Sequence, residues 1–239
     1  MSHESRSFAK IIDHALLHPT LTDVDIYEGC QMANRLGVAS VCVKPYAVAL
    51  AARLLQGSSV AVGTVIGFPH GSHATQTKQF EADGACQQGA RELDMVVNIG
   101  MVIQGEWDFV ARDIVAVVDV SRRHGAITKV IFENDFLPDD TLKIRLCEIC
   151  RDAGVDFVKT STGFGFVKQS TGQFDYRGAT VEDVRLMRTH CGPTMQVKAA
   201  GGIRNYEDAK RMYDAGATRI GTSATEMIVG GQPGRQAGY

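Results

Sequence analysis

Short apolar runs recur along this chain, and a glycine precedes each. The runs cover 38–43, 60–66, 92–97, 127–132, 155–159, 195–199 and 217–221, after Gly37, Gly57, Gly89, Gly125, Gly154, Gly192 and Gly216. Valine, isoleucine and phenylalanine are frequent in them, as in strands covered on both faces. Each glycine falls where a helix ends in a left-handed residue before the chain turns into a strand. The intervening polar stretches carry helix-start signals. Thr22-Asp23-Val24-Asp25 and Thr180-Val181-Glu182-Asp183 resemble capping boxes with Asp for the usual Glu. Asn205 is placed to cap Tyr206-Glu207-Asp208, and Pro138 to open the helix that carries Cys147.

The glycines lie 20 to 38 residues apart, close to the roughly 30 residues of a βαβ unit. With Ile12-Asp13-His14-Ala15-Leu16-Leu17 as a first strand, the pattern predicts eight strand–helix units. That favours a single-domain α/β fold, a (β/α)8 TIM barrel, over a doubly wound sheet, which typically has fewer strands and a glycine fingerprint after the first. No G-x-G-x-x-G follows an early strand. The barrel is expected to fill residues 1–230, with 231–239 as a flexible tail.

Strand parity then sorts the polar residues inside the runs. In Glu92-Leu93-Asp94-Met95-Val96-Val97-Asn98-Ile99, the apolar face of Leu93, Met95, Val97 and Ile99 should meet the helices, which turns Asp94, Val96 and Asn98 to the axis. The same rule places Lys159 with Phe157 and Ser161, Lys198 with Gln196 and Ala200, and Cys42 with Ser40 and Lys44. Asp13 is a further inward candidate. Two acids and two bases would leave this interior near neutral, as buried charges require. An inward lysine beside a second cation loses affinity for its proton, and a free amine is what imine formation with a carbonyl compound needs. The competing reading has each lysine merely neutralising an aspartate. Which lysine would be the nucleophile stays open at this level.

Two glycine turns suggest an anion site. Gly201-Gly202-Ile203-Arg204-Asn205 leaves the seventh strand, and Gly221-Thr222-Ser223-Ala224 leaves the eighth. Loops after strands seven and eight commonly form the phosphate cup of barrels. Amides of Gly201, Gly202 and Gly221, with Ser223, are the candidates, joined by Gly163 after the sixth strand. The loop 164–178 is long for a strand–helix connection, and its alternation around Ser170-Thr171-Gly172 predicts a small hairpin over the pocket.

Composition removes other classes of function. The 239 residues carry a formal net charge of -2, with 44% hydrophobic and 22% charged residues. That balance argues against a nucleic-acid or membrane-surface partner. No apolar run approaches a transmembrane span, and the start lacks the apolar core of a signal peptide. Six scattered cysteines suit a reducing cytoplasm. Cys147 and Cys150 form a C-x-x-C, but within a helical pattern and without a second ligand pair, so packing is expected there and no metal is called for.

The motifs Ile12-Asp13-His14-Ala15-Leu16-Leu17, Ser40-Val41-Cys42-Val43, Thr64 to Gly71, Glu92-Leu93-Asp94, Phe157 to Gly165, Val197 to Arg204 and Arg219 to Ser223 together resemble deoxyribose-phosphate aldolase, in order from about residue 8 to 230. The resemblance implies a class I aldolase without cofactor. It would cleave 2-deoxy-D-ribose 5-phosphate reversibly to glyceraldehyde 3-phosphate and acetaldehyde. It implies Lys159 as the Schiff-base lysine, Lys198 as the lysine that lowers its pKa, Asp94 as proton donor and acceptor, and Asp13 as support. Gly163, Gly201, Gly202, Arg204, Gly221 and Ser223 would hold the phosphate, with Cys42 near the substrate. Ala224 stands where many relatives have a second serine. Phosphorylated sugar and aldehyde substrates, a homodimer or homotetramer, and a cytoplasmic location are the matching expectations. Tyr239 is expected to reach the pocket from the tail as a proton shuttle. The rivals are an aldolase using another donor and a catalytically silent sugar-phosphate-binding protein.

Overall fold

In a computed structural model that describes residues 8–230, the apolar runs become the staves of a closed barrel. The strands are β1 (Ile12–Leu16), β2 (Ser40–Val43), β3 (Ala61–Ile66), β4 (Glu92–Val96), β5 (Ile127–Ile131), β6 (Phe157–Lys159), β9 (Gln196–Ala200) and β10 (Arg219–Thr222). Each pairs in parallel with the next, and β10 pairs with β1 through Asp13 opposite Gly221. Between β6 and β9 the chain adds β7 (Val167–Lys168) and β8 (Phe174–Asp175), an antiparallel hairpin at the expected place.

Helices follow every barrel strand: α1 (Asp23–Leu36), α2 (Val48–Leu54), α3 (Thr75–Gln87), α4 (Ile99–Gln104) with α5 (Trp107–Arg123), α6 (Asp140–Ala153), α7 (Val181–His190), α8 (Tyr206–Asp214) and α9 (Thr225–Val229). Thr22 forms the full capping box with Asp25, and Thr180 and Asn205 accept from the amides of Asp183 and Asp208. All seven glycines ahead of the strands have positive φ, which halts each helix before its strand begins. Among the described residues no helix is long and apolar enough to cross a membrane. The tail 231–239, and Tyr239 with it, lies outside the described residues.

Two local expectations change. Pro138 lies two positions before Asp140, the first residue of α6: Asp139 is the cap, accepting from the Thr141 amide at 2.8 Å. Strand β4 stops at Val96, because Asn98 accepts from the Met101 amide at 3.3 Å and starts α4. A capping asparagine outcompetes one more strand residue here, so Asn98 and Ile99 leave the strand faces assigned to them.

The core is a cylinder between strands and helices. Leu93, Met95 and Val97 are fully buried there, in one apolar cluster with Val110, Ile114 and Val117 of α5. Each such side chain contributes roughly 2–3 kcal/mol. A second, smaller cluster lies inside the barrel mouth: Leu17, Cys42 and Val65, packed with Ala15, Phe68 and Phe164. The outer cylinder holds the staves in register, and that register places the polar side chains that follow.

Candidate active site

Register across the barrel brings distant residues together. Lys159 stands opposite Lys198, Lys129 opposite Asp94, and Arg219 opposite Lys198. At the centre is Asp94, fully buried. Its Oδ2 lies 2.8 Å from Nζ of both Lys159 and Lys198, and its Oδ1 2.7 Å from Nζ of Lys129. Asp13 adds Oδ2 at 2.5 Å from Lys198, and its Oδ1 accepts from Ser40 and Arg219 at 2.6 Å. Below them Glu92 Oε2 meets Lys129 at 2.6 Å and Arg219 at 3.0 Å.

The interior therefore holds three acids and four bases, where two of each were expected. Lys129, Glu92 and Arg219 escaped the sequence reading. Lys129 carried the same signal as the other two, a lysine inside the apolar run Ile127-Thr128-Lys129-Val130-Ile131. With Lys159 as a neutral amine, three carboxylates face three cations and the buried set balances.

The proton affinities follow this arrangement. Burial pushes all three amines towards the neutral form. For Lys129 the carboxylates of Asp13, Asp94 and Glu92 overcome burial and hold it well above the ordinary value. Asp13 and Asp94 also outweigh burial at Lys198 and raise its pKa. Lys159 has Asp94 and, opposed to it, the Lys198 cation, so burial prevails and its pKa falls. Asp94 resists burial through its three lysines and stays well below the carboxylate range. Cys42, pushed up to about 11 by burial, remains a thiol in the apolar wall.

Above this charge cluster opens a cavity of about 460 Å³ at the carboxyl ends of the strands. Lys159, Lys198, Asp13, Cys42, Gly163, Gly201, Gly202, Arg204, Gly221 and Ser223 all line it. Asp94 lies beneath, behind the lysines. Two glycines are required by their surroundings. A Cβ on Gly221 would stand 3.0 Å from Cε of Lys198, crowding the amine; Gly201 has φ 95° with the Ser161 side chain 3.3 Å from where its Cβ would be. Ala224 caps α9 without a side-chain hydrogen bond, its amide instead donating to Thr222 Oγ1 at 2.9 Å. Of the long loop, only its first residue, Phe164, lines the cavity; residues 166–176 do not, and Phe166 stacks edge-on against Tyr176 across the hairpin. Cys147 and Cys150 are buried within α6.

Three inward lysines converge on one aspartate beneath a cavity at the mouth of a parallel barrel, an arrangement suited to carbonyl chemistry. Residues 7–236 match the family described as DeoC/LacD family aldolase. The chain belongs to that family. Within it, a deoxyribose-phosphate aldolase of Thermococcus gammatolerans is 52% identical over 225 residues, covering 93% of this chain and 95% of its own. One from Rhodopirellula baltica is 46% identical over 228 residues, 95% and 90% of the two chains. Among solved structures, the tetrameric deoxyribose phosphate aldolase of Aeropyrum pernix superposes with a TM-score of 0.85 at 31% identity, over 95% of this chain and 91% of that one. The single-domain barrel and an aldolase activity are thus properties this chain shares with the DeoC/LacD family.

Proposed function

We propose that this aldolase cleaves 2-deoxy-D-ribose 5-phosphate reversibly to D-glyceraldehyde 3-phosphate and acetaldehyde, through a Schiff base on Lys159. The observation that carries the reading is the asymmetry between register partners: burial lowers the proton affinity of Lys159, while Asp13 and Asp94 raise that of Lys198. Lys159 is therefore the amine able to attack a carbonyl, and Lys198 the cation that keeps it neutral.

The open-chain sugar aldehyde meets the Lys159 amine at the cavity floor. Asp94 Oδ2, within 2.8 Å of both amines, exchanges protons as the carbinolamine loses water. The protonated imine then accepts the electron pair of the C2–C3 bond, and the C3 hydroxyl proton departs as that carbon becomes an aldehyde. Protonation of the enamine and hydrolysis release acetaldehyde. Gly163, Gly201, Gly202, Arg204, Gly221 and Ser223 hold the phosphate, and this remote binding orients C1 over the amine. Cys42 and its apolar neighbours face the two-carbon end. The six cysteines, all buried and unpaired, fit the cytoplasm. A homo-oligomer, dimer or tetramer, fits the assembly of the Aeropyrum relative.

The test is reductive trapping. The protein is incubated with acetaldehyde, reduced with borohydride and mapped by peptide mass spectrometry. Ethylation confined to Lys159 is the expected result. Ethylation of Lys198 instead exchanges the two roles. Folded protein without modification overturns the mechanism and favours a silent sugar-phosphate-binding protein.

A further inference from the structure

A buried acid outside the charge cluster carries an inference that rests on the aldolase reading. Glu133 follows the last residues of the β5 run and is 1% exposed. Its φ of 56° and ψ of 63° are left-handed, and it is the one non-glycine residue with positive φ among the described residues. An acid buried in a conformation natural to glycine is doubly unfavourable, and such strain concentrates where function requires it. The carboxylate accepts from the Thr162 amide, with Oε1 at 3.1 Å and Oε2 at 3.2 Å, and from the Thr162 hydroxyl. That hydroxyl oxygen in turn accepts from the Phe164 amide at 2.9 Å. Gly165 packs directly on the carboxylate, so that a Cβ there would come within 2.6 Å of it.

The two residues after Glu133 continue the grip. The Asn134 amide donates to Thr160 O at 3.0 Å. Asp135 Oδ2 accepts from the amides of Arg177 and Gly178 at 3.1 and 2.9 Å. Beyond them the Ala179 amide donates to Gly201 O at 3.0 Å. One turn after β5 therefore holds the long loop at both ends. Its first end, Thr162-Gly163-Phe164, is cavity wall beside Lys159; its second is tied to the Gly201 turn.

We propose that Glu133 is a positioning residue of the aldol reaction: its carboxylate fixes the Thr162–Phe164 turn, and through it the Gly163 amide that faces the substrate phosphate. Every hydrogen bond of the side chain goes to that turn. Burial pushes the carboxyl up to about 7 against the Thr162 hydrogen bonds, with the Asp135 carboxylate raising it and the Lys159 side lowering it, so the grip is maintained at an energetic disadvantage.

The experiment compares Glu133→Gly with Glu133→Gln, against 2-deoxyribose 5-phosphate and unphosphorylated 2-deoxyribose, with thermal unfolding measured alongside. Glycine keeps the left-handed backbone and removes the grip; glutamine keeps an acceptor at the same reach. The expected result is a folded Glu133→Gly enzyme whose kcat/KM for the phosphorylated sugar falls about 10- to 100-fold, mostly in KM. Turnover of the unphosphorylated sugar should fall less than about threefold, and Glu133→Gln should stay within about threefold on both. A general weakening of the fold would depress both substrates alike, and that result overturns the proposal, as does unchanged KM in Glu133→Gly. If Glu133→Gly does not fold, Glu133→Asp, one methylene short of Thr162, replaces it with the same expectation and the same overturning results. Wild-type protein inactive on both sugars would refute the aldolase reading itself, a distinct outcome.

Discussion

Buried lysines occur in two regions, and in only one of them do lysines line the cavity at the barrel mouth. In the helix layer, Lys78 of α3 is fully buried, its Nζ 2.5 Å from Asp113 Oδ2 and 2.9 Å from Val96 O. Burial lowers its pKa, with Asp113 pulling the other way, so its direction matches that of Lys159. Yet Lys78 does not line the barrel-mouth cavity, and its Nζ is held by the Asp113 carboxylate and the Val96 carbonyl. A depressed pKa marks a nucleophile only when the amine also lines a space that a carbonyl compound can enter. Inside the barrel the lesson sharpens: three lysines share Asp94, and only Lys159 is lowered, because it has one carboxylate neighbour while Lys129 and Lys198 have two or more.

The contrast breaks most severely at Asp94. Asp94→Asn removes the group that three amines share and should lower kcat by about 10²–10³-fold. It should also cost about 3–5 kcal/mol of stability by leaving buried cations short of a partner; steady-state rates and denaturant unfolding check both. Next, Lys198→Leu removes the cation that opposes protonation of Lys159. The Lys159 pKa then rises, so the alkaline-going limb of the kcat/KM profile moves to higher pH. The rate at pH 7 should fall about tenfold and recover as pH is raised. A pH profile of unchanged shape would show that Lys198 does not set the Lys159 pKa. The smallest catalytic effect is expected for Lys78→Met. It leaves Asp113 buried without its cation, costing roughly 3 kcal/mol in unfolding experiments, while ethylation of Lys159 by acetaldehyde and borohydride stays at the wild-type level.

The sequence made some of this legible and hid the rest for physical reasons. Seven of the eight barrel strands were visible because each couples a left-handed glycine to a run buried on both faces, two local signals that agree; β1 has no such glycine and was placed by completing the repeat. Parity then turned Asp94, Lys159 and Lys198 inward correctly, since period-two alternation is a property of one strand alone. Glu92 and Arg219 were missed because each begins its strand, where a charge looks like a solvated edge; only pairing across the barrel buries them around Lys129. Lys129 itself could have been found by the rule applied to its neighbours. Glu133 could not: its left-handed backbone belongs to a residue type that gives no warning of it. Which lysine attacks was also beyond the residues alone, since that depends on how many carboxylates surround each.

The closure of β10 on β1 has a consequence for how the molecule comes to exist. Asp13 lies on the first strand and Arg219 on the last, yet their side chains meet at 2.6 Å. Lys198 likewise waits for Asp13 across the gap that β10 must fill. During synthesis the early strands emerge with their polar side chains exposed and unbalanced, and contacts this distant in sequence form late. A nascent chain that ends before β10 has neither the Arg219 cation nor a closed floor. The last barrel strand therefore completes the charge pairing of the first, so the polar interior reaches its balanced state only at closure.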